Sequence, residues 1–141
     1  MKGLDTLIKV HQRKLDELRR QMVQLEEQRE QLIATAGKLH NELMQERELA
    51  AQNPSMAAYM GDFEKRVQAR QLEIAKEVVQ LDIRLQQLSG AIAESFGEMK
   101  KYEITRDNEK ERARIIADRK EQSMLDEVGL QQFMRKDSDK K

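Results

Sequence analysis

Apolar residues recur along the chain in alternating steps of four and three. From Leu4 the steps fall on Ile8, His11, Leu15, Leu18, Met22, Leu25, Arg29, Leu32, Ala36, Leu39, Leu43, Glu46 and Ala50, so only His11, Arg29 and Glu46 interrupt the apolar series. Past Pro54, the only proline, the spacing resumes through Ile74, Val78, Leu81, Leu85, Leu88, Ile92, Ser95, Met99 and Tyr102. A seam sustained over this many heptads predicts a coiled coil. One break near the middle makes the economical arrangement all-α: two long helices forming an antiparallel coiled-coil hairpin, with the second helix longer and overhanging.

The spacing predicts a single helical-hairpin domain over 1–134. Helix 1 covers about 4–51, with Asp5 or Thr6 as its cap, and the turn takes 52–55. Helix 2 covers about 56–130, with Asn53 as cap and Pro54 at its first turn, and 135–141 form a disordered polar tail. Folding back about position 54 sets Leu4 opposite about position 104. Residues beyond roughly Thr105 then have no intrachain partner, and the seam fades there too, into Arg106 and Glu109. Ile115, Ile116, Met124, Leu125, Val128, Leu130, Phe133 and Met134 are left uncovered. Gly37, Gly90 and Gly97 lie inside predicted helix, where each costs up to ~1 kcal/mol, and imply close approach of the opposite helix or simple tolerance, with a designed bending point as the other reading. Near the turn, Met56, Tyr59, Met60, Phe63 and Val67 crowd together. They either close the hairpin end against Leu43, Met44 and Leu49, or form an exposed docking patch.

Charged residues make up 37% of the 141 and aromatics 4%, which suits helices that bury one strip each and solvate the rest. Lys plus Arg and Asp plus Glu both number 26, so the basic excess usual for nucleic-acid binding is missing. The absence of cysteine excludes disulfides, thiolate metal sites and thiol nucleophiles. His11 and His40 are too far apart for a His-Glu-x-x-His pair, and no Asp-rich loop accompanies them. Without a glycine-rich phosphate loop, or a pocket to orient Ser55, Ser89, Ser95 or the Glu26-Glu27 pair, no catalytic site, cofactor or metal is expected. The chain enters charged helix directly from its first residues and has no long apolar run. This predicts a cytoplasmic protein with no direct membrane insertion.

The layout resembles the FliJ family, the stalk-like components of the bacterial flagellar export apparatus. The run Leu4-Asp5-Thr6-Leu7-Ile8-Lys9-Val10-His11, followed by Asp16-Glu17-Leu18-Arg19-Arg20, is similar to that family's first helix. Tyr59 and Phe63 after the break are similar to its tip region, and Lys100-Lys101-Tyr102-Glu103 with the later Leu125-Asp126-Glu127 to its C-terminal helix. The resemblance implies a non-catalytic stalk and adaptor that enters a hexameric export ATPase, contacts the export gate membrane protein and escorts export chaperones. It thereby implies a peripheral location at the cytoplasmic face of the inner membrane, reached through these partners. Matched on the aromatic after the turn, the family's gate-contacting residues fall on Phe63, Val67, Arg70 and Ile74. Two departures stand out: the aromatics are spaced by four rather than three, and Arg70 replaces a small residue. The part suited to enter a ring is the overhang, with Ile115, Ile116, Arg119, Leu125 and Val128, together with the N-terminal end.

Other readings are the equivalent stalk of a virulence-type secretion system, a nucleic-acid-binding helical arm, and a generic coiled-coil scaffold or chaperone, which would be a homodimer if its overhang formed a dimer seam. The free chain is otherwise expected to be a monomer, because the hairpin satisfies its own seam.

Overall fold

The computed structural model describes residues 2–139. Helix α1 spans Lys2–Gln52, a short 3-10 turn spans Pro54–Met56, and helix α2 spans Ala57–Asp139. The break falls where the chemistry requires it. Asn53 is extended (φ −137°, ψ 95°), as a residue before proline prefers, and Pro54 opens the turn that leads into α2. Asn53 occupies the expected cap position but does not cap with its side chain. Its Oδ1 accepts the Ser55 hydroxyl at 2.8 Å, while its carbonyl accepts the Met56 N–H at 3.1 Å.

The helix ends differ from the sequence expectation in two ways. α1 is already helical at Lys2, so Asp5 lies in its first turn, where its charge suits the helix dipole, instead of capping it. α2 runs through Asp139, so 135–139 are helix and not the disordered tail; residues 140–141 lie outside the described ones.

The chain divides into two compact units. One comprises Gln12–Phe96, and the other Met1–His11 with Gly97–Lys141. In the first, the two helices form an antiparallel hairpin closed by the turn. Leu15, Leu25 and Leu43 of α1 and Met60, Val67, Ile74 and Leu81 of α2 are buried. In the second, the start of α1 lies antiparallel to α2, with Ile8 and Met99 buried and the rings of His11 and Tyr102 stacked at 5.5 Å.

The periodic seam accounts for burial with little remainder. From Gly3 to Gln52, the protected residues are the fourteen on the series from Leu4 to Ala50, and every other side chain is exposed. On α2 the same spacing begins earlier than expected, at Met60, Glu64, Val67 and Gln71, and extends through Arg106 and Glu109.

Three of the charges placed in this seam are paired sideways. In the Gln12–Phe96 unit Arg29 Nε donates to Asp82 at 2.6 Å, and Arg47 donates to Glu64. In the other unit Arg106 reaches Asp5 at 3.5 Å. Each pair joins a charged seam residue to the residue that follows a seam position on the facing helix: Asp82 after Leu81, Arg47 after Glu46, Asp5 after Leu4. The residue numbers of each pair, 29 and 82, 47 and 64, 5 and 106, add to 111, so one register governs the pairing in each unit.

The glycines do not mark close approach. A Cβ added at Gly37 or Gly90 meets nothing within 4 Å, so the helices tolerate these residues and gain no contact from them. Both positions have ordinary helical backbone, and alanine there removes unfolded-state freedom without a clash. Gly37→Ala and Gly90→Ala should each stabilise the protein by about 0.5–1 kcal/mol, read as a higher midpoint in thermal melting followed by circular dichroism.

Reversing one seam charge tests the register. Arg29→Glu should lower the melting midpoint and Arg29→Glu with Asp82→Arg should recover it. The coupling should be about 0.2–1 kcal/mol, because both side chains are partly exposed.

Candidate partner-binding surface

From Lys110 to Ser138 every residue of α2 is exposed. This overhang begins after Glu109, about one turn later than the expected boundary near Thr105, because Arg106 and Glu109 are still partly buried. It carries Ile116, Met124, Leu125, Leu130, Phe133 and Met134 at 56–68% exposure, with Ile115 and Val128 at 38% and 49%. A soluble helix does not ordinarily present so many large apolar side chains over one segment unless something else covers them.

The overhang holds itself helical through local charges. Arg114 donates to Glu111 (Nη2 to Oε1, 2.5 Å) and to Asp118 at 3.2 Å, and Gln122 donates to Asp126 at 3.2 Å. The hydrogen bond from Arg114, followed by its charge, holds the Glu111 carboxyl below the usual carboxylate range and raises the guanidinium in turn. A lowered carboxylate pKa supports the helix above the unfolded value and loses that support as pH falls through the lowered one.

All five residues assigned to the ring, Ile115, Ile116, Arg119, Leu125 and Val128, lie on this exposed helix. The four assigned to the gate divide. Val67 and Ile74 are 4% and 2% exposed, at seam positions of the Gln12–Phe96 unit. Their surface is already covered within the chain, which corrects their assignment as direct contacts. Arg70 is exposed and pairs with Glu73 at 3.1 Å. Phe63 is half-buried: one side packs on the Leu43, Met60 and Val67 cluster, and its ring stacks on the exposed Tyr59 at 6.2 Å.

The residues near the turn therefore do both of the things weighed above. Met60 and Val67 close the hairpin end against Leu43, with Leu39 and Ala50 beside them, while Met44, Leu49 and Tyr59 remain exposed.

Sequence reasoning missed a further exposed stripe on α2. Leu72, Val79 and Ile83 are 47–59% exposed, and with Ala75 they recur at steps of three and four on the face away from the seam. The signal was present in the spacing, but the stronger seam repeat masked it.

A shallow groove between the helices of the Gln12–Phe96 unit is lined largely by Gln21, Gln24, Gln28 and Gln87, with Arg84 at its edge. These amides offer neither a nucleophile nor a base. Among the described residues no cluster of three or more His, Cys, Asp or Glu could hold a metal, and no helix is long and apolar enough to cross a membrane.

Two antiparallel helices joined by a short turn, with α2 exposed from Lys110 to Ser138, define a coiled-coil protein. The family model described as flagellar FliJ protein matches residues 1–138, and the chain belongs to that family. It is thus a component related to flagellar export, in a family of non-enzymatic export components. No curated protein and no solved structure matches the chain.

The burial difference can be measured. Leu25→Ala should lower stability by about 2–4 kcal/mol, and Phe63→Ala, with part of its ring exposed, by about half as much. Equal losses in thermal melts would place Phe63 wholly in the core and remove it from any docking surface.

Proposed function

We propose that this protein is the stalk and adaptor of the flagellar export apparatus, engaging the hexameric export ATPase through its overhang. The observation that carries the reading is the unbroken exposure of α2 from Lys110 to Ser138 with its large apolar side chains. A helix whose apolar residues lie on several sides suits a ring interior, which surrounds its occupant, better than a single flat groove. Family membership supplies the export context.

On the same reading Phe63 and Arg70 meet the export gate membrane protein. They lie seven residues apart, two turns along one face, with Tyr59 one turn before Phe63. Val67 and Ile74 support that face from the seam beneath. The protein would sit at the cytoplasmic face of the inner membrane through these partners, and export chaperones would be escorted by the exposed helix that remains. Its contribution is contact and positioning, and the chemistry of ATP hydrolysis belongs to the ring.

Mixing the full chain with the export ATPase should give a complex and faster ATP hydrolysis. A chain ending at Glu109 should lose both. Leu125→Asp with Val128→Asp should weaken binding by about tenfold or more while leaving the melting curve unchanged, because neither residue is buried. Full binding and stimulation by the shortened chain would refute the ring reading.

A further inference from the structure

The exposed stripe on α2 is longer than its three large side chains. Leu72, Lys76, Val79 and Ile83 are followed at the same steps of four and three by Gln86 and Gly90, all exposed and all within the Gln12–Phe96 unit. Ala69 extends the series at one end and Ala93 at the other. This is a second heptad series on the back of the helix, spaced as the buried seam is. Two charges beside it are left over. Arg66 and Glu94 form no ion pair within the chain, whereas the neighbouring Arg70 is bonded to Glu73.

The buried seam shows how two such series meet. A step of four lies against a step of four, with Glu46 and Ala50 across from Glu64 and Met60. Reversed against itself by the same rule, the exposed series is its own complement. Val79 meets Ile83, Leu72 meets Gly90 and Ala69 meets Ala93, while Lys76 lies beside the Gln86 amide.

We propose that this stripe pairs antiparallel with the same stripe of a second copy of the chain, about a two-fold axis between Val79 and Ile83. Arg66 of each copy then falls beside Glu94 of the other, so both leftover charges are matched, once at each end. Leu72 needs room, and Gly90 supplies it: a Cβ there would meet nothing within 4 Å, so the backbone is open to a large side chain. Asp82 lies beside the axis in both copies, where each is already held by Arg29 at 2.6 Å. The contact is isologous, so it closes at two chains and does not propagate.

Other arrangements lose these matches. Sliding one copy by a heptad in one direction sets Lys76 against Val79 on either side of the axis. Sliding it in the other sets Glu73 beside Glu94 and Arg66 beside Lys101, which like charges oppose. A parallel pair sets Lys76 on Lys76. The overlap covers between three and four heptads with a polar layer on each side of its centre, so the dimer is weak and concentration-dependent. It replaces the free monomer expected from the hairpin alone. The contact uses nothing from Lys110–Ser138 and is independent of the ring reading.

Sedimentation equilibrium of the full chain alone, from about 1 to about 200 µM, should show the mass moving from one chain towards two. Arg66→Glu should weaken that association about fivefold or more, and Glu94→Arg should do the same, since each reversal acts twice across the axis. Mixing these two variants, or placing both changes in one chain, should restore it. Val79→Asp with Ile83→Asp should weaken it about tenfold or more. All four positions are exposed, so circular dichroism melts of the dilute chain should be little affected. Leu125→Asp with Val128→Asp should dimerise like the original. A single-chain mass at every concentration would overturn the proposal and leave the stripe to a different protein. So would dimerisation that ignores the reversals at Arg66 and Glu94, or that is lost with Leu125→Asp and Val128→Asp.

Discussion

The structure depends on a narrow apolar seam in which three charged members reach sideways. Two helices bury only one strip each, so little free energy separates the correct register from one displaced by a heptad. Arg29, Glu64 and Arg106 remove that ambiguity. Each sits in the strip, and each meets an opposite charge just beside the strip on the facing helix, at Asp82, Arg47 and Asp5. As partly exposed pairs they contribute about 1 kcal/mol or less each. Their larger effect is on alternatives, since a displaced register leaves a charge against apolar surface with no partner. Arg29, Glu64 and Arg106, which look like faults in the repeat, therefore specify the pairing.

This explains what could be read from the sequence. The first helix was legible residue by residue, because fourteen positions in steps of four and three coincide with its protected side chains. The start of α2 was not, because Glu64 and Gln71 occupy seam positions and hide the repeat between Met60 and Ile74. The same gap accounts for one of the gate residues. Matching on one aromatic carried Val67 and Ile74 onto the surface; the hidden part of the register places Val67 in the seam, and Ile74 already opened the series legible in the sequence. Asp5 looked like a cap because its residue type favours one, yet its carboxylate is needed by Arg106. The polar composition after Arg135 suggested disorder, whereas the helix continues to Asp139.

The overhang follows from helix lengths more than from any change in pattern. α1 has 51 residues and α2 has 83. Protection on α2 ends at Glu109, although Ala113 and Ile116 continue the spacing beyond it. Ala113, Ile116, Leu130 and Met134 are thus seam-spaced residues without a facing helix, while Ile115, Met124, Leu125, Val128 and Phe133 lie off that spacing on other sides of the helix. Their chemistry resembles that of the buried strip, and the difference lies in what stands opposite.

An uncovered helix of this length is marginal in water, because its backbone order is not offset by burial. Short-range ion pairs such as Glu111–Arg114–Asp118 help to keep it helical before any partner arrives, at a few tenths of a kcal/mol per pair. Pre-ordering lowers the entropic cost of binding, so a partner that covers the apolar residues needs less contact to form a complex. It also means that two partners using the same residues exclude each other. A helix free on all sides can be surrounded by a ring or paired along one face, and the apolar positions serve in both cases.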